Sequence, residues 1–143
     1  MIRLPLASLI AASALLAGPA QAQPADAARL AHDDLAWAEI VPGIEFAPSY
    51  GDWNTEAHGK FVRFAPGAAV PDHTHTGAYH GVMISGRLNN PYPGEGEPPV
   101  FGPGDSWFVP GGAVHANTCL SEEPCLFYTH ADAAWDVEVT ETE

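Results

Sequence analysis

The sequence predicts an all-β domain, a small barrel or sandwich, and three observations predict it. After Trp37 the chain is a series of apolar runs of four to eight residues, rich in Val, Ile, Phe, Tyr and Trp. Such runs have the length and composition of strands. Gly and Pro punctuate them about every ten residues, the spacing of turns in β sandwiches and barrels. Pro occupies 14 of the 143 positions. Inside a helix each would remove a hydrogen bond and clash with the preceding turn, so no long helix fits after residue 37.

The elements follow in order. Residues 1–22 (MIRLPLASLIAASALLAGPAQA) read as a secretory signal peptide. Arg3 is a short positive n-region, Leu4 to Gly18 is apolar, and Ala20-Gln21-Ala22 is a small-x-small cleavage box. The apolar stretch is too short and too Pro-interrupted to span a bilayer, which takes about 20 residues. The alternatives are an uncleaved anchor or a buried helix. Residues 23–36 form a polar, Ala-rich arm or short helix, and residues 37–143 form the barrel domain. Its runs are EIVPGIEFAPSYGDW, HGKFVRFAPGAAVPDH, YHGVMISGRL, PPVFGPGDSWFVPGG, AVHANTCL and PCLFYTHA. Residues 89–99 (NNPYPGEGEPP) make a long Pro/Gly loop, of the kind that is often functional in a compact domain. There is no internal repeat.

The formal charge is −13. Nucleic acid and anionic lipid are therefore excluded as partners, because neither finds a basic footprint here. The acids are scattered, which makes a soluble, self-repelling surface. The expected partner is a small-molecule ligand or substrate, with no membrane contact after signal cleavage; a homodimer is left open. A signal peptide implies a periplasmic or secreted protein in an oxidising space, where Cys119 and Cys125 can pair. They flank LSEEP. A hairpin with that loop sets them opposite each other, with Cβ atoms about 4.5–5.5 Å apart, close to the about 3.5–4.5 Å of a disulfide. The alternatives are two free thiols, or Cys119 as an extra metal ligand.

The chemistry concentrates in HTHTGAYH, residues 73–80, which holds three of the seven histidines. On a strand, residues two apart share a face, so His73 and His75 stand side by side as a pair of imidazole ligands for a transition metal. Two exposed polar histidines would read the same way in isolation.

The context resembles the cupin superfamily. Its first motif is a Gly, five residues, His-x-His, three or four residues, Glu, six residues and a Gly; here Gly67 precedes His73 and His75, and Gly86 closes the run. Its second motif is a Gly, five residues, Pro-x-Gly, two residues, His, three residues and Asn. Here Gly104, Pro110, Gly112 and His115 match, but residue 119 is Cys and the nearest Asn is Asn117. The resemblance spans roughly residues 57–130. It implies a cupin-type double-stranded β-helix (jelly-roll) barrel of the RmlC-like kind, with the two motifs holding one metal inside. Within the superfamily the chain resembles the domain-of-unknown-function-4437 group and, in its second half, the ChrR-type anti-sigma cupins.

The motif's glutamate is missing. Counting back six residues from Gly86 puts Tyr79 there; chemistry prefers His80, one residue later. Strand parity favours Tyr79, since a one-residue slip flips the side chain to the other face, and His80 turns inward only if a bulge intervenes. The expected metal ligands are His73, His75 and His115, with Tyr79 at the rim; a four-histidine site including His80 is the alternative. Tyr79 and His80 are thus the candidate catalytic groups. Asp72 is a candidate for fixing a histidine tautomer, or a plain loop carboxylate. His32 is expected in solvent on the arm; His58 and His130 are expected at the surface, with the cavity mouth as the alternative for each; Trp53, Trp107 and Tyr128 are expected in the core, with a substrate platform as the alternative.

Three imidazoles leave coordination positions open, as catalytic sites do. By analogy with three-histidine cupins, the leading expectation is a metal-dependent oxygenase acting on a small organic molecule. A non-catalytic metal or small-ligand sensor is the alternative, and a structural barrel with a vestigial site comes third. The cofactor is one divalent transition metal, and Fe, Zn, Ni, Mn and Cu are not distinguished by an imidazole-only set.

Overall fold

The computed structural model describes residues 29–140. The signal-peptide segment and the first residues of the arm lie outside them. The arm enters as a single 3₁₀ turn, His32–Asp34, with exposed His32 beside Asp33 and Leu35 tucked against the domain. Everything after it is strand and turn, as the short apolar runs require.

Eleven strands form two antiparallel sheets. They are β1 (Ala38–Val41), β2 (Ile44–Tyr50), β3 (His58–Phe64), β4 (Ala69–Thr74), β5 (Tyr79–Ser85), β6 (Leu88–Asn89), β7 (Val100–Phe101), β8 (Ser106–Val109), β9 (His115–Cys119), β10 (Cys125–Ala131) and β11 (Glu138–Val139). The larger sheet runs β1-β2-β3-β10-β5-β8 and the smaller β11-β4-β9-β6-β7. From β3 onward the chain passes back and forth between the sheets, with β6 and β7 paired within the smaller one, as in a jelly roll. Among the described residues no helix is long and apolar enough to cross a membrane.

The inner faces close over one core. On β10, Cys125, Phe127, Thr129 and Ala131 are buried and the residues between them are not. Phe127 packs on Phe64 and Trp107 with ring centroids 5.5 Å away in each case. Gly81 makes the space for Trp107, since a Cβ there would come within 2.2 Å of the indole. Gly86 ends β5 with a φ of +80°, and a Cβ would lie 2.8 Å from the Cys125 Cα, so only glycine makes this turn. Trp107 is buried, Trp53 and Tyr128 half-buried.

Cys119 and Cys125 are bonded, with their Cα atoms 5.7 Å apart. The hairpin expected between them does not exist. β9 belongs to the small sheet and β10 to the large one, so LSEEP crosses between layers and the bond staples the two sheets together. It sits at the far end of β9 from His115, and therefore does not aim that side chain directly.

Candidate metal centre

Three local devices bring the histidines together. β4 carries a bulge between Val70 and His73, where one extra residue enters opposite β9. Without it Val70 and His73 would face opposite sides; with it both line the interior. Pro71 sits in the bulge, where its missing N–H breaks no ladder bond. Past the bulge, His73 pairs directly with His115, the first residue of β9. His75 follows two residues on, just beyond the strand end. The ring centroids lie 4.2 Å apart for His73–His115, 4.8 Å for His73–His75 and 5.0 Å for His75–His115. All three rings are buried.

Each ring is oriented by a backbone carbonyl. Nδ1–H of His73 donates to Pro71 O (2.8 Å), that of His115 to Ala113 O (3.0 Å), and that of His75 to Asp136 O. A donor at Nδ1 leaves the lone pair on Nε2, so three Nε2 acceptors meet. The candidate ligand atoms all lie within 4.8 Å of one another. His75 Nε2 is buried without a hydrogen-bond partner among the described residues. Burial pushes the His75 imidazole down to about 3 and that of His115 to about 4, and lowers His73 as well. All three are neutral at pH 7, the form that ligates metal. Asp72 does not fix a tautomer through its carboxylate; its backbone carbonyl instead accepts from Thr140.

β5 alternates without a bulge from Tyr79 to Val82, in register with β8 and, from His80, with β10. Tyr79 is therefore buried and His80 exposed. The Tyr79 hydroxyl donates to His115 Nε2 at 3.2 Å; burial raises its pKa. His80 lies on the outer face, 4.7 Å ring-to-ring from Phe108. As a catalytic or fourth-ligand candidate His80 is thus set aside, because no bulge turns it inward.

A cavity of about 50 Å³ opens beside the imidazoles, lined by apolar groups such as Phe46, Val62, Phe127 and Val137. Several of its polar residues were not anticipated. Lys60, the only lysine of the chain, lines it while 1 % exposed. Its Nζ donates to His58 Nε2 at 3.0 Å and stands 3.6 Å from the centre of the Trp135 ring. His58, expected at the surface, is buried. Its Nδ1–H donates to Glu56 O at 3.1 Å, which leaves Nε2 as the acceptor. Burial pushes the Lys60 ammonium down to about 7. Period-two reading signals this: in HGKFVRF the core residues Val62 and Phe64 share a face with Lys60 and His58. His130 is half-exposed, as expected, between Tyr50 and Asp132.

The segment after β10 was likewise missed, and no periodicity marks it. Trp135 stacks on His75 with centroids 4.1 Å apart. The Asp136 carboxylate accepts from Thr76 N–H (2.7 Å) and Thr76 Oγ1–H (2.6 Å). β11 then pairs with β4, so this strap closes over the histidine wall.

A double-layered antiparallel barrel with three converging imidazoles in its interior is the cupin architecture anticipated from the two motifs. The ChrR cupin-like domain family matches residues 25–134, and the chain belongs to that family. Among solved structures it is similar to the polyketide cyclase RemF from Streptomyces resistomycificus, at 19% identity over 82% of this chain and 88% of that chain with a TM-score of 0.70. It is also similar to KdgF from Halomonas sp., at 20% identity over 73% and 94% with a TM-score of 0.62. A chain in the complex of Rhodobacter sphaeroides SigE with the anti-sigma ChrR matches at 23% identity over 71% of this chain and 51% of that one, TM-score 0.57. No curated protein matches the chain.

Proposed function

We propose that this chain is an exported cupin that binds one divalent transition metal through Nε2 of His73, His75 and His115, and that the site acts on a small organic molecule. The carrying observation is the set of three Nδ1–H bonds to backbone carbonyls, which commits three neutral Nε2 lone pairs to one point. A bound metal with positions left open would supply Lewis-acid or redox chemistry. An oxygenase-type reaction ranks first. Tyr79 is the hydroxyl that reaches an imidazole of the cluster, at His115 Nε2. Its buried phenol stays protonated, so it serves as a hydrogen-bond donor toward a ligand at the rim rather than as a base. The apolar walls exclude water. Enzymes among the solved relatives, the polyketide cyclase RemF and the DMSP lyase DddQ from Ruegeria pomeroyi, support a small-molecule role for the fold. Export rests on the N-terminal pattern and fits the bonded cysteines.

Metal analysis of protein purified from its native compartment, followed by oxygen uptake with Fe(II) and candidate substrates, tests this reading. Stoichiometric metal that disappears in a His73/His115 double variant is expected; full-affinity binding by that variant would refute the ligand set. A second reading, a non-catalytic metal or ligand sensor, is favoured by membership of the ChrR cupin-like family. It predicts tight binding and no turnover. N-terminal sequencing of the mature protein decides the cleavage after Ala22.

A further inference from the structure

The cavity has two chemically opposite polar walls. From the small sheet come Nε2 lone pairs, suited to a cation. From the large sheet and the strap come hydrogen-bond donors with little to donate to. Lys60 carries three N–H bonds and has one polar partner, the neutral His58 imidazole. Among the described residues no carboxylate pairs with it in salt-bridge range. Thr129 lies directly across from Lys60 in the β3–β10 ladder. Thr129 Oγ1 and Trp135 Nε1 are buried without a hydrogen-bond partner among the described residues, and both residues line the same cavity. A buried unpaired ammonium and two orphaned donors are each unfavourable in an apolar interior. One anion would satisfy all three. The remaining walls are aromatic and aliphatic, which suits a carbon body, and the volume of about 50 Å³ admits only a few heavy atoms.

We infer that Lys60, Thr129 and Trp135 form the anion end of the cavity and receive the carboxylate of a small organic acid whose other end meets the His73–His75–His115 cluster. This rests on the small-molecule reading of the site and names its ligand class. Lys60 is here a binding residue, held in place by His58 and the Trp135 ring.

Because the chain has a single lysine, protein grown with ¹³C-lysine gives one ε-methylene resonance in an NMR spectrum. Titrating the purified protein with acetate and propionate, both zinc-loaded and metal-free, should shift that resonance saturably. The neutral amides acetamide and propionamide should not shift it. By calorimetry, Lys60→Met should bind propionate about tenfold to a hundredfold more weakly, as loss of a hydrogen bond from a charged donor predicts. Its zinc affinity should be unchanged, and its melting temperature should not fall. Equal propionate affinity in wild type and Lys60→Met, or amides that shift the resonance as the acids do, would overturn the inference. So would a propionaldehyde adduct on Lys60 trapped by borohydride with no carboxylate response, which would mark the amine as a nucleophile. The zinc titrations run separately: absent zinc binding refutes the metal proposal, while the metal-free carboxylate titration still decides the anion site.

Discussion

His73 and His75 of the histidine cluster line one cavity with Lys60, whose partner is His58, and the same physics has treated the two groups differently. Both are buried polar groups in an apolar interior. Each metal-site imidazole donates its one N–H to a carbonyl and keeps its lone pair on Nε2, so it is neutral and its burial is tolerable. Lys60 has no proton acceptor except a neutral ring, so its charge is uncompensated and its pKa falls instead. A site that awaits a cation can be stable without it; a site that awaits an anion stays strained until one arrives. Buried polarity is thus not a single signal: the direction of each hydrogen bond decides what the group will take.

The largest effect should come from breaking the histidine wall. His73→Ala, His75→Ala and His115→Ala should each weaken metal binding more than about a hundredfold, since loss of mere outer partners already costs 10–100-fold. His32→Ala, on the exposed arm, should leave it unchanged, and competitive chelator titration checks all four.

Acid separates the two walls. Burial lowers the folded His75 imidazole to about 3, against about 6.5 for an unfolded histidine. The unfolded chain then binds the extra proton between those values, so metal-free stability falls as pH drops from about 6.5 toward 3. Lys60 obeys the same sign in a higher window: lowered from 10.5 to about 7, it makes stability rise from pH 7 toward 10.5. Lys60→Met should abolish the alkaline rise and raise the melting temperature at neutral pH, while keeping the acid loss. Melting curves across pH 4–10 test both halves.

The strap gives a smaller effect. Asp136→Ala removes both bonds to Thr76 and frees the carbonyl that orients His75. Metal affinity should fall about tenfold, in the range for outer partners, with secondary structure by circular dichroism unchanged.

The smallest effects distinguish Tyr79 from its neighbour. Tyr79→Phe should change the visible spectrum of the cobalt-substituted site, because it removes the hydroxyl beside His115 Nε2, which a metal on that nitrogen would free to donate to a ligand on the metal. His80→Ala should alter neither spectrum nor metal affinity, and should move stability by no more than about 0.5 kcal/mol, as an exposed outer-face residue.

Legibility followed periodicity. The strand class was readable because turn residues and short apolar runs are local signals. Tyr79 over His80 was readable because β5 carries no bulge there and parity alone decides. Lys60 sat on a legible face but was passed over, because a lysine is usually exposed; His58, on the same face, was expected at the surface with the cavity mouth as the alternative. Trp135 and Asp136 were not legible at all: they lie in an irregular strap whose place depends on chain folded long before it.

What the sequence determined by itself was the β architecture and the spacing of His73, His75 and His115 on it; these depend on neighbours along the chain. The tertiary structure alone decided which groups face one another. The bulge at Pro71 put Val70 and His73 on one side, the sheet order made Cys119–Cys125 a staple between layers instead of a hairpin bond, and the closing strap laid Trp135 between His75 and Lys60. The reason is physical: strand parity is a local property of two-residue period, whereas the pairing of one sheet's inner face with the other's is chosen by the packing of the whole core.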